Sequence, residues 1–134
     1  MGDDVSDETI HRFRVGFRDV GMRGEMHSFA YISYAEEALA DFWAAHAPDM
    51  PLPAFGVSRV GCQLHRALQV GETVTTAVRV SKIGGKTAGF SILMERGTEL
   101  VAEAEIVWAA CNPDTGEPIP LPEDLRDWLY KYLE

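Results

Sequence analysis

The sequence predicts an α+β fold in which a single long helix lies against an antiparallel sheet. Three observations carry this. From Phe29 onward the apolar residues Ile32, Ala35, Leu39, Phe42 and Trp43 recur at helical spacing. Later in the chain four segments alternate apolar and polar residues with a period of two. The breaks between those segments are short and carry glycine, as tight turns require.

In chain order, residues 1–9 are acidic and small, and read as a frayed start. Strand one follows, with Phe13, Val15 and Phe17 on one face and Arg12, Arg14 and Arg18 on the other. Asp19 to Ser28 is a loop of glycines, acids and a histidine, and it delivers the chain into the long helix. Pro48, Pro51 and Pro53 stop that helix and exclude a ladder strand. The strand segments are Val57 to Ala67, Glu72 to Ile83, Lys86 to Arg96 and Leu100 to Cys111. Their inward sets include Val74, Thr76, Val78 and Val80, then Ala88, Phe90, Ile92 and Met94, then Ala102, Ala104, Ile106 and Trp108. Gly71, Gly84-Gly85 and Gly97 mark the turns, so the four strands are expected to form a meander. Asn112 to Gly116 is a turn, and Pro122-Glu123-Asp124 opens a short helix with Leu125, Trp128, Leu129 and Leu133 inward. Five strands around one helix leave surface to cover, which favours a dimer.

The 134 residues fit one domain, residues 1–134, of ordinary globular composition, with 46% apolar and 25% charged residues. A net charge of −9 argues against nucleic acid or an anionic membrane as main partner. Cys62 and Cys111 have no metal-site spacing and read as half-buried free thiols. With no apolar run near 20 residues and an acidic start unlike a signal peptide, a cytoplasmic location is expected.

The stretch Asp19 to Ala38, DVGMRGEMHSFAYISYAEEA, aligns without a gap on D-x-D-x-x-G-H-V-N-N-x-x-Y-x-x-Y-x-E-E-A. Arg66 to Glu72, Ser81 to Lys86 and Cys111 to Pro122 follow in matching order. On these motifs the chain resembles the hotdog-fold acyl-CoA thioesterases of the 4-hydroxybenzoyl-CoA type, from about Phe13 to Leu129. The resemblance implies a five-stranded antiparallel sheet wrapped around one central helix, with a short C-terminal helix. It also implies hydrolysis of an acyl-CoA to free acid and CoA, with no cofactor besides that small-molecule substrate, in a homodimer or dimer of dimers. The departures fall on the chemistry. Gly21 stands where the family carries its catalytic aspartate, Glu25 where it carries histidine, and His27 where it carries the first asparagine.

Thioester hydrolysis needs a carboxylate and donors for the developing oxyanion. Backbone N–H groups near Ser28, at the helix start, are the candidate donors. Asp19, Glu25 and Glu36 are the acids that could replace the missing one. Asp19 could equally bond the loop backbone, and Glu25 could be a solvated charge at the helix start. His27 suits proton transfer near neutrality. Glu36 lies beside the apolar stripe and is expected to face inward, with Gln63, His65 or Arg66 as partner; Glu37 points elsewhere. Arg66, Lys82 and Lys86 are candidates for the phosphates of coenzyme A. Two other readings are a hotdog protein that binds acyl-CoA or another small ligand without hydrolysis, and a dehydratase of the same fold pairing His27 with Glu36.

Overall fold

The computed structural model describes residues 9–133. The elements are β1 (Thr9–Arg14), a 3-10 turn (Phe17–Asp19), α1 (Ser28–His46), β2 (Ala54–Leu64), β3 (Thr73–Ile83), β4 (Thr87–Arg96), β5 (Glu99–Cys111) and α2 (Glu123–Tyr130). The frayed start expected of residues 1–9 lies outside the described residues, apart from Thr9, which opens β1.

The strands form one antiparallel sheet in the order β1-β3-β4-β5-β2. α1 runs across its inner face. Ala30, Ala35 and Ala38 are at most 2% exposed, so the sheet backbone approaches the helix closely while Tyr31, Leu39 and Phe42 fill the space on either side. The expected inward sets of β3 and β4 are all buried, and Phe90, Ile92 and Met94 are core. Thr76, the one polar member, donates its hydroxyl to the His11 carbonyl at 3.1 Å, which satisfies it. At the far end of α1, Trp43 stacks between Trp108 and Trp128, at 5.4 and 5.2 Å, and this pins α2 to the sheet.

Five expectations change. Strand one ends at Arg14, and Phe17 is 86% exposed instead of sharing a face with Phe13. The Asp19 carboxylate accepts from the Gly16 N–H at 3.2 Å and bends the chain into the 3-10 turn. Of the expected α1 stripe, Ala35, Leu39 and Phe42 are buried, while Ile32 and Trp43 are half-buried and Tyr31 and Ala38 join the buried face. β2 starts and stops three residues earlier than Val57 to Ala67. The four later strands are not a meander: β3, β4 and β5 are, but β2 pairs with β5. Gly71 does make a turn, at φ +89°, yet residues 65–72 cross the end of the sheet and bond to the loop after β1. β1 takes the edge of β3 that a hairpin would have used. Lastly, Leu133 lies beyond α2 and is 38% exposed.

Candidate functional site

The loop before α1 and the crossover 65–72 are zipped together by backbone bonds. The Met26 N–H donates to the Leu68 carbonyl at 2.7 Å, and the Val70 N–H to Gly24 at 3.2 Å. Glu25 faces Gln69 in an isolated bridge. Gly24 sits at φ +79°, which only glycine adopts freely. Tyr31, in the first turn of α1, then clamps the crossover: its hydroxyl accepts from the Leu68 N–H at 3.0 Å and donates to the Arg66 carbonyl at 3.5 Å. Burial raises the pKa of this phenol, which keeps it neutral and able to serve both partners. Between the helix start and the clamped crossover is a cleft of about 260 Å³, lined by Glu25, Ser28, Tyr31, Leu64, His65 and Arg66 among others. Glu25 and Ser28 are exposed in it. No side chain caps the N-terminus of α1, and no acid lies in its first turn, so the positive end of the helix dipole faces the cleft undiminished.

The other expected site residues divide between this cleft and elsewhere. Asp19 is turned away from it: its carboxylate accepts the Tyr34 hydroxyl at 2.5 Å along with the Gly16 N–H. The Tyr34 pKa is pushed up to about 12, first by burial and then by this bond. Through its carbonyl, Asp19 also holds the His27 N–H at 2.7 Å. Of the two readings of Asp19, the loop-bonding one describes these contacts. His27 is half-buried, its ring parallel to Phe29 at 5.0 Å and lying over Gly21. A Cβ at position 21 would come within 3.1 Å of the His27 Cε1. The missing side chain at Gly21 is therefore space that the imidazole uses.

Glu36 does not face inward. It is exposed, two turns or about 12 Å further along α1 than Ser28. There it borders a second, apolar pocket of about 300 Å³ with Leu39, Phe55, Val57 and Trp108. Two of the three partners suggested for it, His65 and Arg66, are engaged elsewhere. His65 Nε2 lies 2.9 Å from Glu103, which alternates with buried Ala102 and Ala104 and so faces away from α1. Arg66 bonds Glu99 at 3.1 Å. The same separation along the helix keeps His27 and Glu36 apart in this chain. Lys82 and Lys86 are also remote from the cleft. Val101 of β5 accepts from His65 and Arg66 at the cleft end, whereas Ala110 bonds Lys86 nine residues later, about 30 Å along the strand.

Two features escaped the reading of the sequence. One is the Tyr31 clamp, signalled only by a phenol inside an apolar stripe, which needs a partner when buried. The other is a brace behind the crossover: Arg96 bonds Glu72 at 2.9 Å and Glu99 at 2.7 Å, and Glu72 accepts the Gln69 N–H at 2.8 Å. Cys62 and Cys111 are free and half-buried, and burial raises the Cys62 thiol pKa. Among the described residues no helix is long and apolar enough to cross a membrane.

No curated protein matches the sequence. Among solved structures, a predicted thioesterase from Bacillus stearothermophilus superposes with a TM-score of 0.83 at 17% identity, over 95% of this chain and 97% of that one. A 1,4-dihydroxy-2-naphthoyl-CoA thioesterase from Synechocystis gives 0.80 at 10% identity, over 92% and 96%. A Staphylococcus aureus protein in complex with CoA gives 0.81 at 14% identity, over 93% and 83%. These likenesses establish the hotdog fold. The sequence model of the thioesterase superfamily matches residues 24–103, which span the helix, the cleft and the sheet down to β5. The chain thus belongs to the thioesterase superfamily.

Proposed function

We propose that the protein is an acyl-CoA thioesterase whose carboxylate is Glu25. The observation that carries this reading is the cleft itself, where Glu25 and the uncapped start of α1 share about 260 Å³ of open space. Water attacks the thioester carbonyl carbon while Glu25 takes its proton. The oxyanion is held by N–H groups at the helix start near Ser28, the C–S bond then breaks, and the thiolate of CoA leaves. His27 assists from the wall of the loop. In this reading Arg66, exposed at the cleft rim and paired with Glu99, turns to a phosphate of CoA. Asp19 and Glu36 hold other positions. The CoA bound to the Staphylococcus relative and the naphthoyl-CoA specificity of the Synechocystis one support a CoA thioester as substrate. The reading needs no cofactor.

The same proposal includes a homodimer. β2 is an edge strand, and on its inner side Val57, Val60 and Leu64 are 54%, 41% and 48% exposed where α1 does not reach. Such an edge is a template for pairing. Antiparallel pairing with β2 of a second copy brings the Phe55–Val57 end of one strand beside the Leu64 end of the other. The apolar pocket of one subunit then adjoins the cleft of its partner and can receive the acyl group. Lys82 and Lys86 have no part in this arrangement that geometry supports.

A panel of acyl-CoA esters with a thiol-detecting readout tests the proposal. Glu25→Gln is expected to lower kcat by about 10²–10⁴ while Asp19→Asn acts mainly on stability. Binding of CoA without release from any ester would leave the non-hydrolytic reading in its place. Equal activity of Glu25→Gln and the parent would remove Glu25 from the mechanism.

A further inference from the structure

The surface beside the cleft has a charge unlike the rest of the chain. Between Ile10 and Gly24 there are four arginines, Arg12, Arg14, Arg18 and Arg23, against the single carboxylate of Asp19, in a protein of net charge −9. All four are exposed, and among the described residues none has an ion-pair partner. The one acid near them is occupied by Tyr34 and Gly16. The same stretch of chain carries Phe17 and Met22, 86% and 105% exposed, the two most exposed large apolar side chains described. Arg14, Phe17, Val70 and Gly71 line a hollow of about 250 Å³. The zipper of residues 24–26 with 68–70 separates this hollow from the cleft, so the two share a wall.

Exposed aromatic and methionine side chains rimmed by arginine have the composition of a protein interface. A nucleotide would meet the arginines with its phosphates and Phe17 with its base, and would leave Met22, 105% exposed, without a role. An acidic folded partner accounts for the arginines, Phe17 and Met22. Biological thioesters are presented on a phosphopantetheine arm, which is attached either to a nucleotide, as in CoA, or to a small acidic carrier protein. We propose that this arginine-rimmed apolar surface docks such an acidic carrier, whose arm crosses the shared wall into the cleft. The proposal rests on the thioesterase reading and adds the form in which the substrate arrives.

The experiment compares one acyl group, octanoyl, on CoA and on an acidic acyl carrier protein, using the parent, the double variant Arg14→Glu with Arg18→Glu, and Phe17→Ser. The carrier-borne ester is expected to be cleaved with a kcat/KM about tenfold or more above that of the CoA ester, an advantage that shrinks as salt rises. The double variant should lose about tenfold on the carrier through KM and stay within about twofold on octanoyl-CoA, with Phe17→Ser following the same pattern. An equal fall on both substrates would mean that the arginines read the phosphates of CoA, and would overturn the proposal. So would unchanged rates on both, or a change in sedimentation showing that the surface joins two copies of this chain. If the parent cleaves neither octanoyl ester, the thioesterase reading is judged separately by the panel of acyl groups. Docking is then judged by titrating the carrier protein: affinity lost in the double variant upholds it, and no binding to the parent refutes it.

Discussion

Replacing Tyr34 with phenylalanine removes one oxygen and leaves the ring stacked on Phe13, with centroids 3.8 Å apart. What disappears is the 2.5 Å bond to the Asp19 carboxylate. Bonds to a charged acceptor are worth about 1.5–3 kcal/mol. Asp19 keeps the Gly16 N–H and is only half-buried, so water can take the vacated position, and the lower end, about 1.5 kcal/mol, applies. A chain of this size has an unfolding entropy of about 0.28 kcal/mol/K near 60 °C, which converts the loss to a Tm drop of about 5 °C. There is also a signature in pH. The folded phenol, at about 12, lies above its ordinary value of 10.0, so its contribution is complete below pH 10 and is lost as pH climbs through 12. Because the side chain is partly open to solvent, that contribution is about 1 kcal/mol rather than the full value of the shift. Thermal melts of the parent and Tyr34→Phe at pH 8 and pH 11.5 make the comparison, with the gap between them narrowing at the higher pH. A Tm within about 1 °C of the parent at pH 8, or a gap that does not change with pH, would refute the role given to the Tyr34–Asp19 bond.

Three further perturbations address other parts of the molecule. Gly21→Ala places a Cβ 3.1 Å from the His27 ring; it should cost about 1–2 kcal/mol alone and much less in a His27→Ala background, a coupling that denaturant melts on the four proteins of the cycle would detect. Arg96→Met removes the bonds to Glu72 and Glu99. The Glu99 carboxyl is held below its ordinary value of 4.5, first by its bond to Arg96, so the parent loses this stabilisation as pH falls through that range and the variant should show a shallower acid limb, with faster amide exchange at Leu68 and Gln69. Val60→Lys places a charge on the inner face of the β2 edge and should shift sedimentation from dimer to monomer; a variant that sediments like the parent would count against pairing through β2.

The parts of the fold that depend on local pattern were legible in the sequence. Val74 to Val80 and Ala88 to Met94 announce their buried faces by alternation, and the prolines after His46 announce the end of α1. What alternation does not encode is which strand lies next to which. Gly71 reads as a turn in either topology, and only the pairing of Ala54–Leu64 with Ala102–Cys111, some 40 to 60 residues away, decides between a hairpin and a crossover. The α1 stripe departs from its sequence pattern at Ile32 and Tyr31 for a related reason. Tyr31 counts as polar or apolar according to whether its hydroxyl has a partner, and those partners, Leu68 and Arg66, are 37 and 35 residues distant. Glu36 looked inward because it adjoins Ala35. Yet one residue is 100° on a helix, enough to carry a side chain from the buried stripe to the exposed flank beside β2.

The candidate site was legible as a place and not as a set of roles, and Asp19 shows why. Its identity and its position before a glycine loop fit a base or a backbone anchor equally, and the choice is made by Tyr34, on the next element. Gly21 and His27 belong together in the same way. A Cβ at 21 would meet the His27 ring at 3.1 Å, close enough that the imidazole must give by a few tenths of an ångström, so glycine at 21 and histidine at 27 are coupled in packing. Glu25 is the acid that lines the cleft at the helix start, on a backbone fixed through Gln69 and next to Met26, which is tied to Leu68. The proposal for Glu25 therefore rests on which acid the cleft holds, with Asp19 committed to Tyr34 and position 21 carrying no side chain.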